Sequence, residues 1–183
     1  MKKSIALTLL LALLGMTRTT WCEEKNARLK IAVTEALLTP DGVLHCKWKI
    51  SNAGREVVHV YGTFLHGPSD DMLDVQGRTA VVRTTWLREV KADPAYYFPK
   101  PEFIDLAPGT EITGALERRP PAKGNAGQLQ NVEIVVGYGT DIEKVNRDIQ
   151  QSLAKGAEFQ ANAVVRWQSL ASSAPVDVVR LIR

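Results

Sequence analysis

The chain has 183 residues, 45% of them hydrophobic and 23% charged, with 23 basic and 20 acidic side chains and a formal charge of +3. That balance excludes a disordered, collagenous or low-complexity polypeptide, and two cysteines are too few for a disulfide-stapled mini-scaffold. The excess charge is local: residues 1–22 hold Lys2, Lys3 and Arg18 and no acid, so the remainder is formally neutral and offers no basic field for nucleic acid or an anionic membrane.

Lys2 and Lys3 precede an apolar run, residues 5–14, which the polar residues 17–20 close off. This is the pattern of a secretory signal peptide, with an apolar core too short to span a bilayer. The expectation is a leader over 1–22, a single β-sandwich domain over 23–183, and a periplasmic or extracellular location. A lipid on Cys22 is the one membrane attachment the sequence offers. Against it, Trp21 stands where a lipoprotein signal wants a small residue, so simple cleavage after Cys22 is the expected processing.

Period-two alternation then dominates. Residues 29–34 alternate, Thr39-Pro40-Asp41-Gly42 supplies a turn, and 43–51 follows with Leu44, Cys46, Trp48 and Ile50 on one face, which predicts a hairpin. Cys46 on that face reads as a buried thiol; if Cys22 is retained, a bridge between the two is allowed in an oxidising compartment. Asn52-Ala53-Gly54-Arg55 is a second turn, and the β-branched run 57–65 a third strand. Residues 66–77 read as a loop, 79–90 as a strand, 103–106 and 111–117 as strands about the turn Ala107-Pro108-Gly109-Thr110, and 129–136 as another strand.

Thr140-Asp141-Ile142-Glu143 has the form of a capping box, and Ile142, Val145, Ile149 and Leu153 fall on one face behind it, so an amphipathic helix is predicted over about 140–155, stopped at Gly156. Residues 163–170 and 176–182 resume the strand pattern. The predicted class is mainly β: an immunoglobulin-like β-sandwich with one late amphipathic helix. The strand over 43–60 broken by Ser51-Asn52-Ala53-Gly54, together with Leu106-Ala107-Pro108-Gly109-Thr110-Glu111, resembles the strand and turn signatures of bacterial immunoglobulin-like accessory domains across roughly 28–136. It departs from them in lacking paired cysteines around a central Trp and in carrying the helix. The resemblance implies binding, spacing or assembly in preference to catalysis.

Candidate chemistry is sparse. Gly137-Tyr138-Gly139 between a strand and a helix imitates a dinucleotide turn, with Glu158 near the spacing of a ribose-binding acid. Ile142 stands where a third glycine belongs, however, and Asp141 sets a negative charge where the pyrophosphate would sit, so no cofactor is expected. His45, His59 and His66 match no metal motif and read as surface histidines on the polar faces of strands; the alternative is a zinc or copper site in which His45 and His59 face one another across neighbouring strands. Asp70, Asp71 and Asp74 lack the glycine and glutamate of a calcium loop, and no nucleophile elbow is present.

The most suggestive surface is the aromatic run Tyr96-Tyr97-Phe98, flanked by Pro94 and Pro99, since three adjacent aromatics cannot all point inward on one strand. The sequence therefore reads as an exported, non-enzymatic binding or assembly module that contacts another envelope protein through Tyr96, Tyr97 and Phe98. Open edges at 57–65 or 176–182 are further places for a partner strand to add. A small-ligand or metal-binding envelope protein is the alternative, and an unrecognised hydrolase the third.

Overall fold

The computed structural model describes residues 28–62, 72–85, 101–121 and 128–181. In chain order they form β1 (Leu29–Leu38), β2 (Leu44–Asn52), β3 (Val58–Tyr61), β4 (Leu73–Gln76), β5 (Thr79–Thr84), β6 (Phe103–Leu106), β7 (Glu111–Arg118), β8 (Asn131–Gly139), α1 (Ile142–Ser152), α2 (Ala157–Trp167), β9 (Ser169–Ser172), β10 (Val176–Asp177) and β11 (Val179–Arg180). The protein is mainly β, as the alternation predicts.

The first sheet runs β11-β1-β2-β7. Pairing of β1 with β2 and of β2 with β7 is antiparallel, whereas β11 joins β1 in parallel. The predicted hairpin forms: Gly42 takes φ 83°, and Thr39 Oγ1 accepts from the Val43 N–H at 2.9 Å. The β1–β2 register shifts between Val33 and Glu35. This bulge carries the inward face from Leu29, Ile31 and Val33 over to Ala36 and Leu38.

The second sheet follows β4-β5-β8-β3-β6, with β9 and β10 also on β8. Val136 pairs with both Thr84 and Ala171, and Tyr138 with both Val60 and Ser169. Since two partners of one residue lie on opposite sides, β5 and then β3 share one edge of β8 while β9 takes the other.

Both sheets bury their apolar faces in one core, with Leu44, Cys46, Trp48 and Ile50 from β2 meeting Val58, Val60, Val82, Ile134 and Val136. Trp48 is fully buried and paired in register with Gly114, and its indole fills the space a Cβ at position 114 would need. Buried Asn52 ties the corner between the sheets. Its amide nitrogen donates to the carbonyls of Glu56 and Leu106, each at 2.8 Å, and its oxygen accepts from Gly54 N–H at 2.8 Å.

Several expectations are corrected. β4 lies inside the predicted loop, paired to β5 through a two-residue turn in which Gly77 takes φ 61°. β8 continues through Gly137-Tyr138-Gly139, which is strand and not turn. The α1 cap is Asp141, one residue later than predicted: its Oδ1 accepts from Lys144 N–H at 2.8 Å, while Glu143 points to Arg147 at 3.6 Å. Leu153, assigned to the buried face, is 58% exposed.

Residues 163–170 are not a strand through their length. A second helix, α2, restarts after Gly156 at φ 115° and packs against α1, because Ala161, Ala163 and Val164 bury one face at helical spacing that the Val164-Val165 pair disguises. The segment 176–182 breaks into β10 on β8 and β11 on β1, so the chain crosses from one sheet to the other. The leader, the strand portions 63–65 and 86–90, and the run Tyr96-Tyr97-Phe98 lie outside the described residues.

Candidate functional site

On β3, Val58 and Val60 join the core, so His59 and Tyr61 project from the opposite face of the second sheet. That face meets the end of α2. The Phe103 ring packs edge-on against Trp167 with centroids 4.8 Å apart and against Tyr61 at 6.1 Å. The Trp167 indole fills the Cβ space of Gly139, and the Gln168 side chain fills that of Gly137. The two glycines of the imitation dinucleotide turn are there to admit these side chains.

Trp167 also forms one wall of a cleft of about 440 Å³ between the end of β8, the start of α1 and the end of α2. Arg28, Lys144 and Arg166 line it with Tyr138, Thr140, Asp141 and Ser169. The indole N–H donates to the Asp141 carbonyl at 2.8 Å, which fixes the helix start against the end of α2. Arg28 is shared with Glu56 at 2.8 Å. Lys144 and Arg166 have no acidic partner among the described residues and are exposed. The one carboxylate in the lining, Asp141, is engaged as the α1 cap. Cations without an acidic partner, hydroxyls and a half-buried indole make a surface that receives negative charge.

The histidines do not come together. β2 and β3 belong to different sheets, and His45 and His59 each alternate with core residues, so the two point outward from opposite faces of the sandwich. The alternative in which they face one another is overturned, because the chain changes sheets at Asn52, and His59 is buried and not the surface residue the strand pattern predicts. His45 Nδ1 lies 3.5 Å from Glu117, its cross-strand neighbour, and His59 Nδ1 lies 2.7 Å from Asp105, likewise directly opposite. Asp74 pairs with Arg83 at 3.4 Å across the β4–β5 hairpin. Among the described residues no group of three or more His, Cys, Asp and Glu could hold a metal ion. Cys46 is a buried free thiol whose pKa burial pushes up to about 12, with the charge of Glu35 adding to the shift.

Of the edges predicted to accept a partner strand, β3 has partners on both sides, β8 and β6, while β11 lies at the edge of the first sheet. Cys22, His66, Asp70, Asp71, Tyr96, Tyr97 and Phe98 lie outside the described residues, as does the side chain of Glu158. The sequence pattern does not reveal the cleft. Positions 28, 144 and 166 share no spacing, and Arg166-Trp167 lies in a segment whose pattern predicts a strand. An exposed cation in the first turn of α1, where the helix dipole disfavours it, was the available signal.

Neither a protein-family model nor a curated protein matches the chain. Among solved structures, a mutant β-glucosidase from Listeria innocua in complex with laminaribiose is similar at 14% identity and TM-score 0.23, covering 84% of this chain and 16% of that one. A β-glucosidase from Kluyveromyces marxianus in complex with glucose is similar at 13% identity and TM-score 0.25, covering 84% and 15%. The chain spans a small fraction of those enzymes, and likeness at this level carries no argument about its activity.

Proposed function

We propose that the protein is an exported, non-enzymatic binding module that contacts another protein of the cell envelope, in the manner of an immunoglobulin-like accessory domain. The leader pattern of residues 1–22 supports the location. The observation that carries the binding role is the cleft, where Lys144 and Arg166 stand beside Trp167 with no ion-pair partner among the described residues. Unspent charge beside an aromatic wall is the composition of a recognition surface. Tyr96, Tyr97 and Phe98 belong to the same proposal as a second contact. A small-ligand envelope protein is the second reading, for which the cleft of about 440 Å³ has room. A metal site shared by His45 and His59 has no place in it.

The test is fractionation with intact-mass measurement, followed by capture from envelope extract on the immobilised mature protein. The expected result is an exported chain beginning at Glu23 that retains a partner which Tyr96→Ala with Tyr97→Ala releases. A full-length chain confined to the cytoplasm, or no protein enriched over an unrelated exported control, overturns the proposal.

A further inference from the structure

The cleft has a charge pattern that narrows what can enter it. Two cations from different elements, Lys144 in the first turn of α1 and Arg166 in the last turn of α2, line one opening together with Arg28. Arg28 already shares its charge with Glu56, and Asp141 sets an acid at the rim while its Oδ1 accepts the Lys144 N–H. The balance still favours an anion. A guanidinium presents paired donors to a carboxylate, and an ammonium adds a point charge, so a carboxylate is the group this set holds best.

The rim says how such a carboxylate arrives. Thr140, Lys144, Arg166 and Ser169 are all exposed, so a free small acid would remain largely in water, whereas small-ligand pockets bury most of their occupant. A rim this open suits a side chain carried on a longer segment that continues past the opening.

We infer that the cleft between α1, α2 and β8 binds an acidic peptide segment, with Lys144 and Arg166 holding its carboxylates and Trp167 packing against its backbone or stem. The inference rests on the binding-module reading and names the chemistry of the partner.

The probe is a fluorescein-labelled hexaglutamate peptide titrated by anisotropy against the mature protein, with hexalysine and free glutarate as comparisons. The expected result is saturable binding of hexaglutamate alone, weakened by salt because exposed charges are screened within a Debye length of about 10 Å at 0.1 M. Lys144→Gln combined with Arg166→Gln weakens it about tenfold at low ionic strength, a product of two exposed charge contacts. Lys155→Gln, beyond the end of α1, leaves it unchanged, and circular dichroism confirms that each variant folds.

Equal binding of hexalysine, an unchanged affinity in the double variant, or glutarate binding as tightly as the peptide each overturns the inference. Should the double variant still retain the envelope partner in the capture experiment, the binding module stands and the cleft is not its site. Absence of any partner for the wild type counts against the module itself.

Discussion

Cys46 shows how far one side chain's environment can move its chemistry. The thiol lies in the core behind β2, 1% exposed, and both burial and the Glu35 charge disfavour its thiolate. In the unfolded chain it ionises near 9, in the folded protein near 12. Between those values the unfolded state gives up a proton that the native state keeps. Stability from this group is therefore complete below pH 9 and is lost as pH rises toward 12, by roughly 1.4 kcal/mol for each unit. Urea unfolding of wild type and Cys46→Ala should show the gap between them closing across that range. A thiol reagent at pH 8 should leave the native protein unmodified and label it fully in denaturant. Rapid native labelling would contradict the packing. Alternation made the burial of Cys46 legible in the sequence, since Leu44, Trp48 and Ile50 share its face. The corner role of Asn52 was not legible, because its three bonds reach Gly54, Glu56 and, 54 residues away, Leu106.

Strands were easier to read than helices here, and each misreading has a local cause. The bulge at Thr34 changes the parity of β1, so a strict period of two stops at Val33 although the strand runs on to Leu38. The glycines of Gly137-Tyr138-Gly139 imitate a turn signal, whereas the strand needs them to admit Trp167 and Gln168. The same logic governs Gly114 beneath Trp48. A methyl group there collides with a fully buried indole that has no room to withdraw, so Gly114→Ala is expected to destabilise by about 2–3 kcal/mol. At Gly42, by contrast, the added atom meets open space, and the cost of Gly42→Ala comes from its positive φ, about 1 kcal/mol. Chemical denaturation of the two variants ranks these effects, and a milder loss at Gly114 than at Gly42 would refute the packing argument.

Across the whole molecule, the C-terminal segment acts as a clasp. β10 pairs with Val132 and Asn131 in the second sheet; two residues on, β11 pairs with Leu37 and Leu38 in the first. Between them Val178 packs against the core, its N–H donates to the Gln130 carbonyl at 2.7 Å, and Arg180 donates to the Leu129 carbonyl at 2.9 Å. Deleting residues 176–183 removes several backbone bonds and one apolar side chain, a loss of about 3–5 kcal/mol. Hydrogen exchange should then accelerate at Leu38 and at Asn131 together, although they lie in different sheets. Acceleration in one sheet alone would show that the segment is not a shared closure.

The strand content, the turns at Gly42 and Gly109 and the inward face of β2 are written in the local sequence. These depend on residues within a few positions of one another, where sterics and period-two burial act directly. Tertiary structure decided which sheet each strand joins, that His45 and His59 point away from each other, that Val164 and Val165 are helical, and that Arg28, Lys144 and Arg166 line one cleft. Those outcomes depend on pairing and packing between segments far apart in the chain. No local propensity encodes them, because the same short run of residues is stable as strand or helix until its neighbours supply the surface it buries against.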